Sequence, residues 1–310
     1  MTNFVEVIKA NHEWPSLFEM EALHLKKALN CLEIHHIGST AIPNLAAKPI
    51  LDMIPVVDSL LEVDLKASEM ERLGYKVMGE HGIAFRRFFQ KKGLKASYNI
   101  HVYEKGHPEI DRHLKFRDWM RENENDRKAY EELKISLAQK YPNDLLKYCL
   151  GKDDFVLEID KKTGYSGWKI VKALTHREWA SLNAFRSSFY KSDPDPFLWT
   201  FIHRDHIHFI FYKDLEIIGY AHLHLLSDNK AILRLLTIAE RFQNRGHGSF
   251  FLKQCEKWLA MQHFNTLHLF ASPLALPFFS KAGYEPMSFV DPEAYENIDL
   301  SLGKILSKPE

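Results

Sequence analysis

Two stretches of the sequence gather residue types able to do chemistry. The first is His35-His-Ile-Gly-Ser-Thr-Ala-Ile-Pro-Asn-Leu-Ala-Ala-Lys-Pro-Ile-Leu-Asp-Met-Ile-Pro-Val-Val57. Ile34 to Ile37 end a strand, and Gly38 and Ser39 begin a turn with exposed amides and a hydroxyl. The run from Lys48 to Ile54 reads as a second strand that carries Lys48 and Asp52 into apolar surroundings. A carboxylate there is costly to bury unless it meets a cation or another partner. The second stretch is Gln243-Asn-Arg-Gly-His-Gly-Ser249, between an apolar strand and an amphipathic helix. A short glycine-rich turn at a helix start points unpaired amides and the positive end of the helix dipole at one spot. Gly246 and Gly248 keep Cβ atoms out of the way, and Arg245 adds charge at the rim, so a phosphate or diphosphate is the natural guest.

Histidines form a third group. His203, His206 and His208 precede His222 and His224 across a hairpin, and i, i+2 spacing puts each pair on one sheet face. Their unperturbed pKa suits proton transfer, and metal binding is an alternative use. Glu240, beside the glycine turn, is a further candidate base, as is a chain of waters.

The elements that must position these groups follow from pattern. His206–Tyr212 and Glu216–Leu225 alternate around a Lys213-Asp214 turn, as in a β-hairpin. Ala231–Ile238 is nearly continuously apolar, as expected of a strand covered on both faces. Phe251, Cys255, Trp258 and Leu259 make the core-facing stripe of the helix after the turn. Residues 110–140 read as helix. Asp160-Lys-Lys-Thr-Gly-Tyr-Ser-Gly167 offers almost nothing to bury, so the expected division is residues 1–160, a linker 161–167, and 168–310. Trp168–Leu174 then opens a fresh α/β domain, leading into Thr175-His-Arg-Glu178, the order of a helix capping box. Phe185–Pro196 has the aromatics and hydroxyls of a lid, or of a plain surface crossing.

Composition bounds the rest. The 310 residues are 45% apolar, enough for real cores and too long for one average domain. The 41 basic and 41 acidic residues cancel, and neither half departs from neutrality by more than three charges, which argues against bulk nucleic-acid or anionic-membrane binding. Cys31, Cys149 and Cys255 lack CxxC spacing, so no disulfide framework or structural zinc site is expected. With no signal-like start and no long uncharged apolar run, a cytoplasmic chain without membrane contact is expected.

The run His36 through Asp52, with Tyr98-Asn-Ile-His-Val102, Gly106–Trp119 and Tyr130–Lys134, resembles the GrpB-like family, a branch of the polymerase-β-like nucleotidyltransferases. That resemblance implies a nucleotidyltransferase fold over residues 1 to about 157. Its anion or nucleotide pocket would hold Gly38, Ser39, Lys48, Asp52, His101 and Arg117, with Asp52 as a ligand for Mg²⁺. Arg86 belongs to the same neighbourhood. Asp52 is followed by Met53 and Ile54 rather than by a second acid, so a nucleotide-binding role is expected ahead of two-metal chemistry.

Gln243-x-x-Gly246-x-Gly248 resembles the glycine loop of the GNAT N-acetyltransferases. Asn265–Phe270 resembles that family's fifth strand, and Ala275–Tyr284 its Phe-x-x-x-Gly-Tyr element. The expected architecture is therefore α/β (α+β), a nucleotidyltransferase-like domain followed by a GNAT domain. The resemblance implies acetyl-CoA as cofactor and a small amine as acceptor. The diphosphate would sit on the amides of Gln243, Asn244, Arg245, Gly246, His247, Gly248 and Ser249, and the pantetheine along Leu236 to Ile238. Phe279 stands where many relatives carry a tyrosine that protonates the leaving thiolate. With no carboxylate in Ile232-Leu233-Arg234, the candidate bases remain His222, His224 and Glu240.

Overall fold

A computed structural model describes residues 4–187, 198–293 and 299–307. The chain divides into two compact units, Met1–His81 with Phe85–Trp168, and Gly82–Ala84 with Lys169–Glu310.

The first unit begins with α1 (Trp14–Leu29), whose buried face carries Trp14, Leu25, Ala28 and Leu29 and which stops at Asn30 in the left-handed conformation (φ 53°). The strands are β1 (Glu33–Ile37), β2 (Ile50–Val57), β3 (Lys76–Val77), β4 (Arg87–Lys92) and β5 (Ser97–Glu104), with the short helices α2 (Leu60–Leu65) and α3 (Ala67–Arg72) between β2 and β3. They form a mixed sheet in the order β1-β2-β5-β4-β3. Its middle pair, β2 and β5, is parallel, with Asp52 opposite Asn99, while β1 runs antiparallel to β2 with Ile37 opposite Asp52. Met53, Ile54, Val56 and Val57 of β2 are all buried, so Asp52 sits in apolar company.

Helices α4 (Pro108–Glu122), α5 (Glu124–Lys140), α6 (Leu145–Leu150) and α7 (Asp153–Lys162) complete the unit. The single helix expected over 110–140 is two. At Asn123 the backbone turns extended (φ −109°, ψ 94°), and its main-chain and side-chain nitrogens both donate to Trp119 O, ending α4. Residues 160–167 also bury more than their composition promised. Asp160 is 1% exposed in an ion pair with Arg112 (2.8 Å), and Tyr165 is 7% exposed.

The second unit holds β6 (Trp168–Lys172), α8 (His176–Ser187), β7 (His206–Lys213), β8 (Glu216–Leu225), β9 (Lys230–Ile238), α9 (His247–Met261), β10 (Thr266–Ala271), α10 (Leu276–Lys281), β11 (Glu285–Pro286) and β12 (Leu300–Ile305). The expected capping box forms: Thr175 N donates to Glu178 Oε2 (2.8 Å) and Glu178 N donates to Thr175 Oγ1 (3.3 Å). The mixed sheet runs β11-β12-β10-β9-β8-β7-β6. Phe209 and Phe211 pack on Trp258, Phe250 and Phe251 of α9, while Ile210 and Tyr220, on the opposite face, pack on Leu182, Trp179 and Phe185 of α8. Residues 188–196 of the expected lid lie outside the described residues.

Candidate functional site

Three features of the second unit converge on β9. First, its ladder to β10 covers only Lys230–Ile232 against Thr266–His268, whereas β8 pairs with β9 as far as Ile238. Beyond His268 the two strands part, leaving one edge of Leu233–Ile238 facing a cleft. Second, the Gln243–Ser249 turn lies at the end of that edge. Gly246 takes φ 82° as the N-cap of α9, and a Cβ built there meets nothing within 4 Å. Among the described residues, no protein oxygen accepts the main-chain N–H of residues 244 to 249. Six amides and a helix N-terminus therefore await an acceptor in an exposed loop. Gln243 shapes the loop by donating to Ile238 O (2.8 Å), and Phe278 walls its inner side, 3.5 Å from a Cβ position at Gly248.

Third, β9 bulges. His222 faces Leu235 and Leu223 faces Leu233, which leaves Arg234 as the extra residue. The bulge points Arg234 at two acids from the β11–β12 segment. Asp291 accepts from Nη2 (2.7 Å) and also from Nη1, and Glu293 Oε2 lies 3.1 Å from Nη2. Arg234 Nη2 also donates to His224 Nδ1 (2.8 Å). Glu293 Oε1 is 3.1 Å from His206 Nε2 and 3.4 Å from His224 Nδ1, and His206 Nδ1 shares a 2.8 Å hydrogen bond with His222 Nε2. Behind them, Tyr220 accepts from Arg186 and is hydrogen-bonded to His208 Nδ1, each at 2.7 Å.

Burial, with the positive neighbours, pulls His206 and His224 down to about 4 and drives His222 lower still, so all three are neutral at pH 7. Burial raises the Glu293 carboxyl. At Asp291 burial acts the same way, but the hydrogen bonds and charge of Arg234 outweigh it and hold the group below its usual range. His206, His224 and Glu293 bring one ligand atom each within 4.8 Å, the only such trio of His, Cys, Asp or Glu among the described residues. The guanidinium of Arg234 already takes the cation's place against two of them, so this cluster is built for proton and hydrogen-bond chemistry rather than for a dication.

In the first unit, Gly38 (φ 69°, ψ −169°) lies so close to Asp52 that a Cβ would fall 2.7 Å from Oδ2. Asp52 Oδ1 accepts from Asn99 Nδ2 (2.9 Å) and lies 3.5 Å from His101 Nε2, whose Nδ1 faces Arg86 (3.2 Å). Burial opposes its ionisation, but His101, Asn99 and Lys152 prevail and keep its carboxyl below the usual range. Ser39 and Thr40 N–H groups have no protein acceptor among the described residues. Lys48 and Lys152 flank the Tyr148 ring, at 5.2 and 4.7 Å from its centroid. Burial depresses Lys48 and pulls Lys134, which donates to Ala46 O, down to about 7.

The sequence profile of the GrpB protein family matches residues 4–162, just over half of the chain. The chain belongs to the GrpB family. Its GrpB domain is fused to a GNAT acetyltransferase domain, since the profile of the acetyltransferase (GNAT) family matches residues 174–284. UPF0157 protein YqkA of Bacillus subtilis (strain 168) is 45% identical over 167 residues, 53% of this chain and 48% of that one, so the match spans about half of that relative. The crystal structure of conserved protein GrpB from Enterococcus faecalis is 43% identical, covers 51% of this chain and 96% of its own, and has a TM-score of 0.49. Tetrahymena GCN5 is 18% identical over 44% of this chain and 92% of its own, with a TM-score of 0.38. No described helix is long and apolar enough to cross a membrane.

Within this GrpB–GNAT chain, the glycine loop and the Leu236–Ile238 edge come together as one cleft. The candidate bases do not. His222 is 2% exposed inside the histidine network, His224 is held by Arg234, and Glu240 is exposed at the far end of β9. Phe279 turns into the core against Tyr284, and its neighbour Phe278 is the ring that meets the loop. In the GrpB domain, Gly38, Ser39, Asp52 and His101 cluster. Arg117 instead binds Asp118 and His36 O, and Lys48 stands over Tyr148 with no ion pair to Asp52. At Asp52, the residue expected to hold a metal, Asn99 and His101 serve Oδ1, and no acid, histidine or cysteine trio forms there among the described residues. Sequence reasoning missed Arg234, Asp291, Glu293 and Phe278. The one available signal was an arginine inside an otherwise apolar strand.

Proposed function

We propose that this protein is an acetyl-CoA-dependent N-acetyltransferase of a small amine, with a GrpB domain that binds a nucleotide or similar anion. The reading is carried by the six unsatisfied amides of residues 244–249 at the start of α9, beside the parted β9 and β10. The residues fit the group. Amides 244–249 would hold the diphosphate, Phe278 would wall the thiol arm, and the free edge of Leu233–Ile238 would pair with its amides. When bound, acetyl-CoA supplies an activated acyl group; the chain orients it, excludes water and takes the amine's proton. With Phe279 buried and unable to donate, the departing thiolate depends on its own acidity or on solvent. Calorimetric titration of acetyl-CoA tests the reading: micromolar binding by the full chain is expected, and no detectable binding at millimolar ligand overturns it.

For the GrpB domain, the free Ser39 and Thr40 amides, with Lys48 and Lys152 at the Tyr148 ring within electrostatic reach of the single carboxylate of Asp52, favour anion binding over two-metal nucleotidyl transfer, which needs several oxygen ligands. ATP binding that persists in EDTA and weakens in Lys48→Ala is expected. Pyrophosphate release that requires Mg²⁺ and Asp52 would instead establish catalysis there.

A further inference from the structure

A cavity of about 700 Å³ opens on the histidine face of the second sheet, lined by His224, Thr266, His268, Met287, Phe289 and Pro292 among others. A lateral row across the sheet, His206, His224, Ile232, His268 and Gly303, leads along its floor. The row crosses β9 and β10 at Ile232 and His268, the last pair before the strands part, so the cavity abuts the head of the cleft. His268 is 3% exposed, yet neither of its ring nitrogens has a hydrogen-bond partner among the described residues. One face of it stacks on Phe289 (4.7 Å), and Gly303 makes room for it, since a Cβ there would lie 3.0 Å from Nδ1 and 2.6 Å from Met287 Sδ. A buried imidazole with an unmade donor and an unmade acceptor is a cost that a ligand's hydroxyl, carbonyl or amide would remove.

At the side of the cavity formed by His224 and Pro292 stands Glu293. Its Oε1 is buried and engaged in no aligned hydrogen bond, within 3.1 Å of His206 and 3.4 Å of His224. Arg234 contributes one positive charge there and Asp291 and Glu293 two negative ones, the histidines are neutral, and Lys230 and Asp228 of the cavity lining cancel each other, so the local balance of one negative charge favours an ammonium.

We propose that this cavity is the acceptor subsite, that it takes a small primary amine bearing a neutral hydrogen-bonding group for His268, and that Glu293 is the base. The inference rests on the acetyltransferase reading. One ammonium proton passes to the Glu293 carboxylate, giving the carboxylic acid. The freed nitrogen pair would form the C–N bond as the thioester C–S bond breaks; sulfur would leave as thiolate, and the second nitrogen proton, shed as the amide forms, would pass through solvent to that thiolate. Arg234 is a positioning residue: it orients Glu293 and keeps His224 Nδ1 occupied as an acceptor.

The test uses the full chain with bromoacetyl-CoA, whose CH₂Br carbon alkylates a nucleophile at the head of the cleft with loss of bromide. Peptide mass mapping is expected to place the label on His224, His268 or Glu293. Millimolar ethanolamine or tyramine should slow the labelling, whereas glycolate and 4-hydroxyphenylacetate should not. In Glu293→Gln, acetyl-CoA titration should be unchanged while the protecting amine concentration rises at least about tenfold, the weight of one charge-assisted hydrogen bond. Tight CoA binding with no label, or with label elsewhere, overturns the subsite. Labelling that no amine slows, or that Glu293→Gln leaves equally protected, overturns the amine and base assignment. Failure to bind CoA at all is a different result and removes the acetyltransferase reading itself.

Discussion

Gly246→Ala separates a binding role for the glycine loop from a merely structural one. Gly246 holds φ 82°, where an alanine costs roughly 1–2 kcal/mol of backbone strain. The new methyl meets no protein atom within 4 Å, so no packing penalty adds to that cost. It does project into the space that the six free amides face, and would hold a diphosphate off at least one of them. A charge-assisted amide–phosphate bond contributes about 1.5–3 kcal/mol, which is about 13- to 160-fold in affinity. The same unit supplies a matched control. Gly283 has φ 86°, and a Cβ there touches only Lys304 Cε at 3.8 Å, so Gly283→Ala carries the same strain outside the loop. Thermal denaturation should show both variants weakened alike, while calorimetry with CoA should show the affinity loss in Gly246→Ala alone. Equal affinities, or equal losses in the two variants, would refute the assignment of the diphosphate to these amides.

Three further outcomes follow from the geometry. Gly38→Ala should destabilise the GrpB domain by about 1–3 kcal/mol, because φ 69° with ψ −169° is a glycine conformation and the Cβ would press on Asp52; a urea midpoint equal to wild type contradicts this. Arg112→Met takes the shared partner from two sealed carboxylates, Asp160 and Glu109, and should cost about 3–5 kcal/mol in chemical denaturation, with Arg112→Met/Asp160→Leu recovering only the part owed to Asp160. His36, His206 and His224 stay neutral in the folded chain down to about pH 4, while unfolded histidines take up protons below 6.5. Their stabilising contribution is thus complete above pH 6.5 and is lost as pH falls toward 4, at up to about 1.4 kcal/mol per pH unit for each histidine. A urea midpoint flat between pH 6.5 and 4.5 would contradict that coupling.

Local rules made parts of this molecule legible before any coordinates. The hairpin β7–β8, the Thr175–Glu178 capping box and the glycine turn before α9 each depend on a few neighbouring residues, and each stands where pattern placed it. What pattern could not reach depends on partners far along the chain. Asp291 lies 57 residues from Arg234, and nothing local to β9 announces it. Choosing between Phe278 and Phe279 was out of reach for another reason. Adjacent positions on a short helix point about 100° apart, so one ring meets the loop and the next meets the core.

The bulge at Arg234 shows why the facing of residues along β9 could not be read from pattern alone. In an unbroken strand, faces alternate by parity, so Ile232 and Arg234 would share the histidine face and Leu235 would lie opposite. With the extra residue, Ile232 pairs with His224 but Leu235 pairs with His222 and joins Tyr220 in the core beneath α8. Parity flips within one strand, and the apolar run Ala231–Ile238 carries no polar alternation that would betray it. Arg234 keeps to the histidine face at the head of the cleft, where burying a cation alone would be prohibitive, so the fold must bring acids to it. The β11–β12 segment delivers two where one would neutralise, and the second, Glu293, is the group left over for chemistry. On that logic Arg234→Leu should leave Asp291 and Glu293 as an uncompensated pair and cost more stability than Arg234→Leu/Asp291→Asn, a difference that denaturation of the two variants measures directly.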